Sequence, residues 1–415
     1  MHFLAALAVA VLPPVLTIDE AVRIFRERGF DLLIADAQVA AAEGDVGAAG
    51  AVANPQLSAS AGRSFDYDPR ACPGCSATAW TLGLTDPSAL SDLITGKRGL
   101  RVDVARAALT AARRSRDDAL RTLSLQVRQA VLDMALEQAQ LAVVRELAES
   151  AERTRALDER RFRSGAISEA ELARADVAAL QAEHVVAQAE EALLAGTLQL
   201  AFLLGVREPP PAFSVDSTLF DRALPPVDLS ADTLLRRALA ERPDLLAADA
   251  QERRAGAALE LVRRQRIPDV ALSVQYAQEG SGQNALQPPT VTFGVQVPLP
   301  IFNRLAGEIA RAEADLRVQR TAREKLRAQT VSEVLQASGA VDKSRRRVES
   351  LRGRLLERAR RVRDLVRVQY EKGAASLLEL LDAERTWAQT RADYLKDVHD
   401  FWLALFRLDA VVGRG

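Results

Sequence analysis

The chain has 415 residues and a formal net charge of -1, so no global basic field invites nucleic acid. Hydrophobic residues make up 48% but aromatics only 5%, a mixture typical of long helices packed along alanine and leucine seams rather than of an ordinary enzyme. After residue 16 no stretch reaches the eighteen or so apolar residues of a spanning helix, so any membrane crossing must take another form.

The N-terminus, MHFLAALAVAVLPPVL, carries an apolar run from Phe3 to Leu12 that Pro13 and Pro14 end. Its length fits a secretory leader within residues 1–16, with Ala6-Leu7-Ala8 or Ala8-Val9-Ala10 as small-residue cleavage sites, and no basic n-region precedes it. A buried first helix is the alternative. No Cys follows the run, so nothing suggests a lipoprotein anchor.

The remainder is written twice. DLLIADAQ starts at Asp31 and DLLAADAQ at Asp244, an offset of 213. LTIDEA at Leu16 aligns with LSADTL at Leu229, and NPQLSAS at Asn54 with IPDVALS at Ile267. RFRSGAISEAEL at Arg161 aligns with QYEKGAASLLEL at Gln369, now 208 apart. The chain reads as a tandem duplication over 17–205 and 229–415, joined by a proline-rich connector over 206–228.

Each repeat lists its elements in the same order. A helix opens at Thr17, where Thr17 and Glu20 fit a capping box, and its counterpart spans about Ser230 to Arg266. After Pro55, Leu57, Ala59 and Ala61 alternate with Ser58 and Ser60, and Trp80, Leu82 and Leu84 form the return. After Pro268, Val270, Leu272, Val274 and Tyr276 alternate with small or polar residues, and Val291, Phe293, Val295 and Val297 return. This predicts one β-hairpin per repeat. Trp80, Tyr67 and Tyr276 flank the hairpins as interface aromatics or as ordinary strand residues. The two cysteines, Cys72 and Cys75 of ACPGCS, lie in the first hairpin's loop. They read as a loop disulfide in an oxidising compartment, with an incidental thiol pair as the alternative.

The period then changes. No proline occurs from Arg98 to Arg163 or from Asn303 to Glu371. Val127, Met134, Leu141 and Ala148 step by seven, with Leu123, Ala130 and Val144 in register. Val341, Val348, Leu355 and Val362 do the same, with Leu351 and Leu365 three residues on. These predict coiled-coil helices of roughly 100 Å, followed by return helices over Ser168–Leu204 and Ser376–Val412. Gly165 and Gly373 permit the positive φ that ends a helix. Ser168 with Glu171, and Ser376 with Glu379, have capping-box spacing. The runs Arg345-Arg346-Arg347 and Arg358 to Arg363 read as solvated helix surface.

Catalysis finds no support. His2, His184 and His399 are scattered without metal-ligand spacing, no nucleophile elbow or phosphate loop occurs, and no cofactor is implied. The strands have a length suited to tilted membrane crossing. Four strands cannot close a barrel, and an open edge cannot sit in lipid. The expectation is either a barrel shared among chains or a soluble sheet covered by something else.

VPLPIFNRLAGEIARAEA (Val297–Ala314), YEKGAASLLELLDAERT (Tyr370–Thr386) and YLKDVHDFWLALFRLDAVVG (Tyr394–Gly413) resemble the TolC family of outer-membrane efflux channels. The PLPIFNR stretch looks most like the metal-efflux branch. The resemblance implies a mainly α fold with a small β part, each repeat pairing a helical hairpin with a β-hairpin. It implies a homotrimer in the outer membrane with a twelve-stranded barrel in lipid and an α-barrel reaching into the periplasm. It further implies a periplasmic adaptor and an inner-membrane transporter of RND or ABC type. The hairpin tips around Gly165 and Gly373 would form the periplasmic mouth. Glu379 and Asp382 fall at the family's pore-constricting acidic positions, with a cap as the competing role for Glu379. Tyr370 falls at its gating aromatic, with tip packing as the alternative, and Glu171 reads as a cap. A soluble or periplasmic coiled-coil scaffold or adaptor is the rival reading, one that leaves the strand alternation without a purpose.

Overall fold

The computed structural model describes residues 12–65, 68, 70, 77–227, 230–279 and 288–413. Tyr67, Cys72 and Cys75 lie outside them. The elements run in the order β1 (Val15–Leu16), α1 (Ile18–Arg28), α2 (Phe30–Gly50), β2 (Gln56–Arg63), β3 (Thr78–Asp86), α3 (Ala89–Thr95), α4 (Lys97–Arg163) and α5 (Glu169–Leu203). The second repeat follows with β4 (Ser214–Val215) in the connector, α6 (Ala231–Glu241), α7 (Pro243–Arg264), β5 (Ala271–Glu279), β6 (Thr290–Gln296), α8 (Ala306–Ser350), α9 (Leu356–Glu371) and α10 (Leu377–Val412). The fold is mainly helical with a small sheet. No helix among the described residues is long and apolar enough to cross a membrane.

One compact unit comprises residues 37–115 and 244–326 and holds the four-stranded sheet, in the order β2-β3-β5-β6. Every neighbouring pair is antiparallel, so the two expected hairpins join through β3 and β5. The register stacks the alternation of all four strands. Leu57, Leu84, Val274 and Phe293 lie in one cross-strand row, and Ala59, Leu82, Tyr276 and Val291 in the next. The rows between them contain Ser58, Gly83, Gln275 and Thr292, and Ser60, Thr81 and Ala277. One face is therefore apolar and the other small and polar. The apolar face is uncovered: Leu57, Leu82, Leu84, Val274, Val291 and Phe293 are all exposed. The Trp80 and Tyr276 rings meet on it at 5.3 Å. β2 and β6 are the edges and have no further strand partner among the described residues.

The other unit comprises residues 1–36, 116–243 and 327–415. Its core brings Leu16, Phe25, Leu32 and Leu204 together with Val127, Met134, Val341, Leu395 and Phe401. Removing Phe401, which has no exposed surface, would cost about 3–5 kcal/mol. β1 and β4 pair in parallel, with Leu12 and Leu16 buried. The last residues of the segment expected as a leader are thus part of the folded unit.

Three expectations are revised. The helix expected to run unbroken from Thr17 is divided at Gly29, and its counterpart at Arg242, ahead of Pro243. Gly29 lacks space for any side chain, because a Cβ there would lie 2.3 Å from the Phe25 ring. Pro243 disfavours the helical conformation at the residue before it.

The second seam also departs from strict sevens. Val334, Val341 and Val348 are buried in step, with Ser344 between them. Leu355, Val362 and Leu365, expected to continue the seam, are instead exposed, and Ala359, Arg363 and Tyr370 are buried. The cause is a π-helical turn over Leu351–Leu355, which accommodates one extra residue and shifts all later seam positions by one. The third revision concerns the arginine runs. Arg363 is buried, with its guanidinium 4.8 Å from the Trp387 ring centre and 2.7 Å from Glu146. Arg345 lies over the Phe401 ring and donates to the Pro225 carbonyl.

Candidate pore constriction at the helical tips

Both helical hairpins reverse by the same local chemistry. α4 ends before Gly165 and α9 before Gly373, and each glycine has φ of +76°. The N–H of Ala166 donates to the Arg161 carbonyl at 2.8 Å, and that of Ala374 to the Gln369 carbonyl at 2.8 Å. These close the helix ends in the Schellman manner. The return helices start with reciprocal caps. The Ser168 N–H and hydroxyl donate to Glu171, whose own N–H donates to Ser168 Oγ. Ser376 and Glu379 repeat the arrangement, with Ser376 N to Glu379 Oε2 at 2.7 Å. Donation from the Ser376 backbone and then from its hydroxyl holds Glu379 below the usual carboxylate range. Ser168 does the same to Glu171. Glu379 therefore remains ionised while it caps.

Asp382 lies three residues further along α10, so it shares a helix side with Glu379. It is exposed and, among the described residues, makes no hydrogen bond or ion pair.

Tyr370 is buried where the two tips meet. Its hydroxyl donates to Asp158 at 2.5 Å, and Arg161 donates to its backbone carbonyl at 2.8 Å while lying 4.8 Å from the ring centre. Burial, then the bond to the Asp158 carboxylate, pushes the tyrosine pKa upward, so the phenol stays protonated and acts as a donor. Asp158 is 1% exposed, and its second oxygen lacks a partner among the described residues.

Further layers join the same helices. Arg367 donates to Glu384 at 2.5 Å, and Ser150 donates to the same oxygen at 3.0 Å. Arg363 holds Glu146 one turn further on. Sequence reasoning missed Asp158, Arg161, Ser150, Arg367 and Glu384. One signal was present: seven-residue steps from Val144 arrive at Ala151 and then Asp158, an acidic residue on a seam. His399, read as isolated, is buried between Asp133 (2.7 Å from Nε2) and Asp400 (3.2 Å from Nδ1).

The duplicated arrangement, a β-hairpin and a long helical hairpin in each repeat, is that of an outer-membrane channel family. The chain belongs to the outer membrane efflux protein family, whose sequence profile matches residues 22–206 and 234–414. It is a TolC-family transport protein of the outer membrane that extends into the periplasm. The family is one of channels, not of enzymes.

Among its relatives, the cobalt-zinc-cadmium resistance protein CzcC of Cupriavidus metallidurans is 26% identical over 409 residues, covering 96% of this chain and 90% of that protein. The solved Campylobacter jejuni CmeC outer membrane channel superposes with a TM-score of 0.79 at 16% identity, covering 96% of this chain and 86% of that one. CusC superposes with 0.75 at 22% identity, covering 96% and 92%. At these identities the structural likenesses establish the fold alone.

Proposed function

We propose that three copies of this chain form a passive export duct, the outer-membrane channel of a tripartite efflux system. A single observation carries the reading: the sheet has an apolar face exposed across all four strands, and its edges β2 and β6 have no strand partner among the described residues. Lipid tolerates the face but not the edges, because unpaired backbone groups have no water to bind there. Edge-to-edge pairing of β6 with β2 of the next copy satisfies both demands. Three copies of four strands give a twelve-stranded barrel, lined by the small and polar rows.

In this duct Asp382 and Glu379 supply stacked carboxylate rings that attract cations and slow their passage, and Tyr370 latches the mouth through Asp158. Gly165, Ser168 and Glu171, with Gly373 and Ser376, shape the tips. A periplasmic adaptor engages the tips, and an inner-membrane transporter of RND or ABC type supplies the energy and selects the cargo. The likeness to CzcC favours divalent metal cations as that cargo. Residues 17–205 and 229–415 act as the two repeats and 206–228 as their connector. A leader ending by Ala10 leaves Leu12 and the β1 strand in place.

The test is the mass of the detergent-extracted particle from outer membranes, by light scattering corrected for detergent. Three chains of 45.0 kDa give 3 × 45.0, about 135 kDa. A 45 kDa monomer would sink the shared barrel.

A further inference from the structure

The strands are short for their task. At about 3.3 Å per residue and a tilt near 45°, the seven residues of β6 cover only about 16 Å of an apolar band about 25 Å tall. Yet its alternation does not stop where the ladder stops at Gln296. Val291, Phe293 and Val295 are followed at the same spacing by Val297, Leu299 and Ile301, all exposed. Phe302 beside them is 100% exposed. Continuing to Leu299, the last apolar position before the chain bends, extends the apolar row to about 23 Å. The intervening positions are Pro298 and Pro300, which have no N–H to leave unsatisfied. The Ile301 N–H is satisfied locally by the Leu299 carbonyl at 2.9 Å.

β3 leads into an equivalent segment by different means. α3 is amphipathic with its faces reversed for a helix in water. Its polar residues Ser91 and Asp92 are 2% and 5% exposed, whereas Leu93 and Ile94 are 78% and 75% exposed. The buried side is held by Ser91 donating to Asp269 (3.0 Å) and by Arg101 pairing with Asp92 (2.6 Å). Its first N–H groups do not depend on solvent, since the Asp86 carboxylate accepts from Ala89 at 2.9 Å and from Leu90 at 3.2 Å.

We propose that α3 and the segment 297–302 form a lipid-inserted collar that completes the apolar band in the periplasmic leaflet of the outer membrane. The partner is the acyl chain of a phospholipid. The observations that select lipid are continuity with the exposed apolar face of the sheet, two prolines at the alternate positions that carry no N–H, and a helix that buries its polar side. The proposal rests on the reading of that face as the barrel's outer wall.

The test is photocrosslinking in outer-membrane vesicles, with p-benzoylphenylalanine placed singly at Leu93, at Phe302, and at Phe293 on the strand face. Mass increases of one phospholipid at all three positions are expected. Adducts at 293 accompanied at 93 and 302 by crosslinks to a second protein chain, or by none, overturn the collar and leave the barrel standing. Absence of lipid adducts at 293 as well overturns both.

Discussion

The Tyr370 hydroxyl donates to the Asp158 carboxylate at 2.5 Å, tying the end of α9 to the end of α4 and so one repeat to the other. Both side chains are buried. Tyr370→Phe keeps the ring under Arg161 but removes the donor from a buried carboxylate. It should cost about 1–3 kcal/mol and loosen the mouth. Planar-bilayer recording should show raised conductance, and an unchanged conductance would assign Tyr370 to packing alone.

Glu379 and Asp382 separate by substitution. Glu379 is occupied by its cap, whereas Asp382 makes no hydrogen bond or ion pair among the described residues. Asp382→Asn should therefore reduce cation selectivity and block by divalent cations while leaving thermal stability unchanged. Glu379→Gln should lower both helix-tip order and selectivity, and Glu171→Gln, an equivalent cap in the first repeat, should lower tip order alone. Equal selectivity in wild type and Asp382→Asn would remove the carboxylate ring from the mechanism.

The π-helical turn makes a prediction about deletions. Removing Arg352, an exposed residue of that turn, leaves the later seam residues Leu356, Arg363 and Tyr370 at uninterrupted steps of seven from Val348. The turn becomes ordinary α-helix, and the Tyr370–Asp158 contact survives. Removing Arg358 instead, beyond the turn, rotates Arg363 and Tyr370 relative to the seam above by about 100°. Melting curves should show the first deletion near wild type and the second well below it. The opposite order would mean that the turn does not absorb the extra residue.

His399 gives a pH signature. Burial opposes its protonation, but the hydrogen bonds and charges of Asp133 and Asp400 outweigh burial and raise its pKa above 6.5. Both ring nitrogens lie within hydrogen-bond distance of a carboxylate, an arrangement that suits the doubly protonated ring. A pKa raised on folding contributes stability that is complete below the unfolded value of about 6.5 and is lost as pH rises through the folded value. The melting temperature of the detergent-solubilised protein should accordingly fall across that window. In His399→Gln this component should be absent, and an identical slope in both proteins would show that another group is responsible.

What could be read from sequence follows from how locally each feature is determined. The tips were legible because a glycine and a Ser-x-x-Glu cap act within a few residues. The strands were legible because an alternation shared by Leu57, Leu82, Val274 and Phe293 survives any pairing order. The π-helical turn was not, since one inserted residue betrays itself only against the neighbouring helices that set the register. Asp158, Arg363 and Glu384 were hidden by abundance: on helices this rich in charge, nothing within a few residues separates a buried ion from a solvated one. His399 was missed because its partner Asp133 lies in the other repeat.

The open edges of β2 and β6 constrain how the protein is made. A single chain that entered the bilayer would carry two rows of backbone donors and acceptors with neither water nor a neighbour to receive them. In the shared barrel proposed above, insertion and association would therefore have to coincide, with the order of events during biogenesis set by hydrogen bonding rather than by apolar surface. On that proposal, a cell short of one copy would hold the others outside the lipid, where their apolar faces would expose them to chaperones and proteases.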